Sequence, residues 1–233
     1  MLTGIHLSSY GIDCDSSLLE LIQTLHEIDG IERIRLGSLE PGIITESFVQ
    51  ALVKLPKVCP HFHLSLQSGS GTVLKRMNRR YTPEEYLEKC DLLRQYYEHP
   101  AITTDIIVGF PGETPEEFEE TCAFVKKVDF YEVHVFKYSK RNGTVAASMP
   151  DQIQESVKAE RSGILMELAE KQKKEFINYY KGKEVSVLFE EPVEVDGVRY
   201  FEGLTPEYVK VWVPTEENLA NRIMTVEFFP YLY

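Results

Sequence analysis

TDIIVGFPGETPEEF, running from Thr104 to Phe118, decides the fold. Its first residues read as a buried strand in which Asp105 is the only charge. The turn Gly109-Phe110-Pro111-Gly112 follows, and because glycine has no Cβ it lets backbone approach a ligand closely. Thr114-Pro115-Glu116-Glu117 then starts a helix, with Thr114 as N-cap and proline in the first turn. Strand, ligand-facing loop and helix is the arrangement by which α/β enzymes place sites at the carboxyl ends of their strands. The alternative reading is a plain βα unit with no ligand.

Outward from this stretch, strand-like and helix-like segments alternate. Strands are expected at Leu2–Ser8, Arg33–Ser38, His61–Gln67, Ile102–Phe110 and Tyr131–Tyr138. Helices are expected at Ser17–Ile28, Glu46–Leu55, Pro83–Glu98 and Pro115–Val128, with a short one near Gly71–Met77. Such alternation implies a parallel sheet with helical crossovers. Strands covered on both faces read as continuous apolar runs, and these do not. Phe62, Leu64 and Leu66 alternate with His61, His63, Ser65 and Gln67, and the same period recurs around Arg33 and Arg35, Thr103 and Asp105, and Glu132 and His134. One face packs on helices and the other lines a polar cavity, which suits a curved, barrel-like sheet. An antiparallel sheet with one wet face is the competing reading, disfavoured by the crossovers.

From Gln152 to Lys181 the pattern is helical, with an apolar stripe that lapses around Lys171–Lys174, and Gly182 ends it. Strand periodicity then governs Glu184–Phe189, Arg199–Leu204, Tyr208–Pro214 and Arg222–Phe229, with Asp196-Gly197 as a hairpin signal. The expectation is a barrel-like unit with its linking helix over residues 1–181 and a small all-β unit over 182–233.

The 233 residues carry 43% hydrophobic side chains, ample for a core, and a net charge of −12 that argues against general nucleic-acid stickiness. There is no apolar run long enough to span a bilayer and no signal-peptide pattern at the first residues, so a cytosolic protein is expected. Cys14, Cys59, Cys90 and Cys122 are widely spaced. They read as free thiols rather than as a zinc or iron–sulfur set, whose ligands normally lie close in sequence. The chain opens directly on a strand, which is the reading of a piece of a longer polypeptide.

Five strings occur in order: TGIHLSSYGID, RIRLGSLEP, HFHLSLQSGSGTVLKRMNRRYT, TDIIVGFPGETPEEF and HVFKYSKRNGTVAA. Together they resemble the radical-SAM methylthiotransferases, and the last 50 or so residues resemble the TRAM domain that closes such proteins. TGIH and YSKRNGT are most similar to the branch acting on threonylcarbamoyladenosine at position 37 of tRNA; other branches act on isopentenyladenosine in tRNA or on a ribosomal protein. The resemblance implies a partial (β/α) TIM-like radical-SAM barrel followed by a TRAM barrel. It also implies S-adenosylmethionine as cosubstrate, [4Fe–4S] clusters in the full-length protein, and radical chemistry at adenine C2. The family's CxxxCxxC motif and the cysteines of its N-terminal domain have no counterpart here, so the chain alone is expected to be inactive. A non-catalytic RNA-binding module is the reading from a different class.

The resemblance implies a cosubstrate wall formed by Ser38, Glu40, Gln67, Ser68, Asp105 and the Gly109–Gly112 turn. Glu40 and Asp105 would accept hydrogen bonds from the ammonium and ribose hydroxyls, although a turn-bracing carboxylate is the plainer role for either. His63 and His134 could face the lumen, or be packed histidines. Rim cations Lys75, Arg76, Arg79, Arg80, Lys137, Lys140 and Arg141 would contact phosphates of an anticodon stem-loop, unless they are merely ion-paired surface. The final segment is acidic, four Lys/Arg against ten Asp/Glu over residues 182–233. Tyr200, Phe201, Tyr208 and Trp212 could stack on bases or fill the barrel core.

Overall fold

The computed structural model of the chain describes residues 1–4 and 6–229. Its first part is a sequential parallel sheet. Leu2 bridges Leu36, Ile34 bridges Val58 and Leu39 bridges Leu64, all in parallel. Strand β1 (His61–His63) then pairs with β2 (Ala101–Val108), and β2 with β3 (Glu132–Lys137), again in parallel. Neighbours in space are neighbours in sequence, as in a barrel wall wound in one direction rather than a doubly wound sheet. Helices α1 (Leu18–His26), α2 (Glu46–Leu52), α3 (Gly71–Arg76), α4 (Pro83–Tyr96) and α5 (Pro115–Val128) occupy the crossovers.

The expected alternation holds. Phe62, Leu64 and Leu66 are fully buried under the helices, and burial of each such side chain is worth about 1.5–3 kcal/mol. Helix α5 has the bounds its sequence indicates. Thr114 and Glu117 form a reciprocal capping box, and Asp129 in the left-handed region (φ 57°) ends the helix.

Three strands are slighter than expected: His61–Gln67 is a ladder only over His61–His63, with Leu64 and Gln67 joining by isolated bridges. Arg33–Ser38 pairs only through Ile34 and Leu36. Leu2–Ser8 pairs only at Leu2, Ile5 lies outside the described residues, and Leu7–Ser9 forms a 3-10 turn. The His6 carbonyl there accepts from both the amide and the hydroxyl of Ser9, a local bond that competes with a strand ladder.

After the short helix α6 (Val145–Ser148), helix α7 (Glu155–Asn178) packs across β3 and α5. Its apolar stripe is interrupted because it docks through polar groups. Buried Gln172 donates to the Val125 carbonyl (3.0 Å) and to Asp129 (3.2 Å), and buried Lys158 donates to the Tyr138 carbonyl (3.0 Å).

The second sheet is antiparallel: β4 (Glu184–Val195), β5 (Val198–Leu204), β6 (Lys210–Pro214) and β7 (Ile223–Glu227), in the order β6-β5-β4-β7. Asp196 and Gly197 both have positive φ (51° and 76°), the requirement of a two-residue type I′ hairpin. Its core of Val187, Phe189, Phe201, Val211 and Phe228 merges with Ala101, Tyr131, Ile177 and Tyr180 of the first part. Arg33 donates to the carbonyls of Leu204 (2.7 Å) and Ser186 (3.0 Å). The ring of Tyr208 lies 3.1 Å from the Arg35 guanidinium and 5.3 Å from the His61 ring. The second sheet thus meets the amino ends of the parallel strands and leaves their carboxyl ends open. Of the aromatic residues considered for base stacking, Phe201 is core and the Trp212 indole donates to Glu202 (2.6 Å).

Candidate functional site

At the carboxyl ends of β1, β2 and β3, Gln67, Asp105, Ile107, Phe110, Phe136 and Arg141 line a cavity of about 550 Å³. Gln67, Ile107 and Phe110 also line an adjoining space of about 410 Å³ that reaches Arg76, Asn78 and Arg79. Gln67 is held at φ 74°, with its amide donating to the Asp105 carbonyl and its own carbonyl accepting from the Ile107 amide, each at 2.9 Å. A left-handed non-glycine residue is strained, and strain of this kind clusters at ligand sites.

The other expected wall residues are distributed differently. Ser38 is exposed. Glu40 receives the Arg79 guanidinium at 3.5 Å, and its amide donates to the Ser8 hydroxyl at 2.9 Å. Ser68 is fully buried and turned from the cavity. Its hydroxyl lies 3.3 Å from that of Thr121 and accepts from the Ser70 amide, so it braces the loop on α5.

The glycine turn corrects the expectation of a ligand-facing backbone. A Cβ on Gly109 (φ 71°) would lie 2.4 Å from Cγ of Lys158, so the close approach there is to α7. The Gly109 amide donates to Glu113 (2.7 Å), and the Gly112 amide donates to the Asp151 carbonyl (2.9 Å). What the turn offers the cavity is the Phe110 side chain.

Glu113 escaped the sequence reading. It is 3% exposed and accepts at Oε2 from the Gly109 amide and from Arg161 (2.5 Å), itself 7% exposed. Burial lifts its carboxyl above the usual range, against the opposing pull of the Gly109 amide and Arg161. The local cue was a carboxylate directly after the Gly109-Phe110-Pro111-Gly112 turn, and nothing in the sequence pairs it with Arg161.

The rim cations divide. Arg76 is committed to Glu117 through two hydrogen bonds (2.9 and 2.5 Å) and to the Gly112 carbonyl (3.3 Å). Lys137 pairs with Glu155 at 3.8 Å. Lys75, Arg80, Lys140 and Arg141 are exposed, and Lys75, Arg79 and Arg80 line a third cavity of about 740 Å³ beside Lys127. Arg76, with Thr72 and the Thr114 amide, holds the Glu117 carboxyl down to about 2. A depressed carboxylate stabilises the fold above its unfolded pKa, and that contribution disappears as pH falls from about 4.5 to about 2. Glu117→Gln is therefore expected to flatten the fall in unfolding free energy, from urea curves, between pH 5 and pH 2.5 by on the order of 1 kcal/mol after solvent screening. Equal slopes in both proteins would contradict the assignment.

Below the cavity, His63 Nε2 lies 3.5 Å from Asp105, and the His63 and His134 rings stack with centroids 5.9 Å apart. His61, one layer further down, is depressed to about 3 by burial and by Arg35, so it stays neutral.

The thiols do not fit a cluster. Cys14 is exposed, whereas burial raises Cys59, Cys122 and Cys90, the last to about 12. Iron–sulfur ligands are thiolates, and among the described residues the one group able to hold a metal ion contains no cysteine.

A one-directional parallel wall with a polar lumen and a site at the strands' carboxyl ends is (β/α)-barrel architecture. Residues 3–125 match the Radical SAM superfamily, and the chain belongs to it; its members use S-adenosylmethionine with a [4Fe–4S] cluster. The chain is 40% identical to threonylcarbamoyladenosine tRNA methylthiotransferase MtaB of Bacillus subtilis (strain 168), over 99% of this chain and 53% of that protein. It is 48% identical to the tRNA-2-methylthio-N(6)-dimethylallyladenosine synthase of Thermoanaerobacter sp. (strain X514), over 81% of this chain and 41% of that protein. The chain thus spans about half the length of the curated relatives it matches. Coproporphyrinogen III oxidase of Escherichia coli, described as a radical SAM enzyme, shares the fold, with a TM-score of 0.54 at 18% identity over 66% of this chain and 36% of that one.

Proposed function

We propose that this chain is the cosubstrate wall and RNA-facing end of a tRNA methylthiotransferase acting on threonylcarbamoyladenosine at position 37, inactive without a cluster-bearing portion of the same polypeptide. The observation that carries the reading is the cavity at the carboxyl ends of β1–β3, lined by Gln67 and Asp105, in a chain whose relatives are methylthiotransferases. Its size is within the range of small-molecule sites. S-adenosylmethionine, when bound, supplies the radical and the methyl group.

Here the residues of this chain bind and orient. Asp105 and the Gln67 carboxamide accept from ammonium and hydroxyl groups, while Phe110 and Phe136 cover apolar surface and exclude water. Arg79, Arg80, Lys140 and Arg141 approach phosphates of the anticodon stem-loop, and Glu40 orients Arg79. Residues 1–181 form the partial barrel with its linking helix, and 182–233 the TRAM unit. Substrates of this kind place the work in the cytosol.

The test uses the parent-length polypeptide, reconstituted anaerobically with iron and sulfide. Supplied with S-adenosylmethionine, reductant and tRNA bearing threonylcarbamoyladenosine, it is expected to yield the 2-methylthio nucleoside by mass spectrometry. Product only from isopentenyladenosine tRNA would select the second reading, which the 48% identity to a dimethylallyladenosine synthase favours. No product from either, with cluster content confirmed, would overturn the proposal.

A further inference from the structure

We infer that His63, Asp105 and His134 form a mononuclear site for a late first-row divalent metal ion at the floor of the carboxyl-end cavity, which Asp105 also lines. The inference does not depend on the proposed reaction.

The placement follows from strand register. Asp105 and His134 are directly paired on β2 and β3, and His63 on β1 pairs with Thr103, two residues before Asp105 on the same face. Three neighbouring strands therefore each contribute one donor to a single layer. One donor atom from each residue lies within 4.8 Å of the others. Three atoms so spaced always have a point within about 2.8 Å of all of them (4.8/√3), and zinc–nitrogen and zinc–oxygen bonds are about 2.0–2.2 Å. Closure by well under 1 Å per ligand suffices. His134 can supply it, because its side chain is 47% exposed on the outer strand of the described sheet.

A second observation points the same way. His63 Nδ1 lies 3.0 Å from the Thr103 hydroxyl, which fixes the ring and leaves Nε2 aimed at Asp105. That Nε2 is buried and has no hydrogen-bond partner among the described residues. When Nδ1 donates to Thr103, the Nε2 lone pair faces a carboxylate oxygen, an arrangement that a cation between them resolves. Metal-ligating histidines commonly donate their other ring N–H to a neighbouring oxygen acceptor, which fixes the tautomer and the ring. Two imidazoles and one carboxylate suit zinc, cobalt or iron in the divalent state better than magnesium or calcium. Arg35, the cation of the layer below, is occupied by His61 (3.4 Å) and Tyr208. Glu132, 3.9 Å from His134, is ion-paired with Lys173 (2.6 Å).

The test is titration of the EDTA-treated chain with Co²⁺ under reducing conditions, read by ligand-field absorption in the visible, with Zn²⁺ competition. One equivalent is expected to bind at micromolar concentration and to be displaced by Zn²⁺. His134→Gln, exposed and safe for folding, and Asp105→Asn should abolish the band. Thr103→Val should weaken binding by about ten-fold. Cys14→Ser should leave binding unchanged, which separates the site from the exposed thiol. A band that survives His134→Gln, or disappears with Cys14→Ser, would overturn the inference, as would no saturable binding by the unaltered chain.

Discussion

Glu113→Ala is expected to lower the unfolding free energy by about 3–5 kcal/mol, the range for removing one partner of a buried ion pair. The cost arises mainly from Arg161. At 7% exposure its guanidinium would retain the Glu113 backbone carbonyl (3.0 Å) and the face of Phe118 (5.4 Å), with no counter-charge in contact among the described residues. The Gly109 amide, which donates to the same carboxylate oxygen, would also be left unpaired. Glu113→Gln keeps an acceptor and should cost clearly less. The double variant Glu113→Leu, Arg161→Met should recover much of the loss, because an apolar pair of similar volume needs no desolvation of charge. Urea unfolding curves measure all three. A loss below about 1 kcal/mol for Glu113→Ala would mean that the pair does not pin the turn to α7.

Gly109→Ala is expected to cost about 3 kcal/mol, from two causes. Alanine at φ 71° is strained by about 1–2 kcal/mol. Its Cβ would also stand 2.4 Å from Cγ of Lys158, a side chain held by the Tyr138 carbonyl (3.0 Å) and Glu155 (2.7 Å), and overpacking of this kind costs about 1–3 kcal/mol. The two causes separate in a double-mutant cycle. With Lys158→Ala in the background the clash is gone, and the glycine substitution should cost only the strain, a favourable coupling of about 1 kcal/mol or more. Strict additivity would locate the effect elsewhere.

These two residues also show where the sequence could be read and where it could not. The capping box of α5, the face alternation of β1 and β2 and the Asp196-Gly197 hairpin were legible because each follows from local chemistry. Gly109 was read as a point where backbone approaches a ligand, but its neighbour proved to be Lys158, forty-nine residues on. No periodicity encodes such a contact. Glu113 and Arg161, Arg35 and Tyr208, and the polar docking of Gln172 were invisible for the same reason. The cavity was half legible: Gln67 and Asp105 line it, whereas Ser68 faces α5 and Phe136 had not been considered. His63 and His134 were recognised as lumen candidates, yet only the strand register brings them to one carboxylate.

On the proposed function, the carboxyl-end cavity of this wall receives S-adenosylmethionine. Amide chemical-shift mapping of the isotopically labelled, metal-free chain tests it directly. Without a cluster the affinity should be weak, but saturable shifts are expected at Gln67, Asp105, Ile107, Phe110 and Phe136 as the cosubstrate is raised through the millimolar range. Shifts concentrated instead around His99, Tyr179 and Lys183, in the cavity between the two sheets, or no saturable shifts at all, would contradict it.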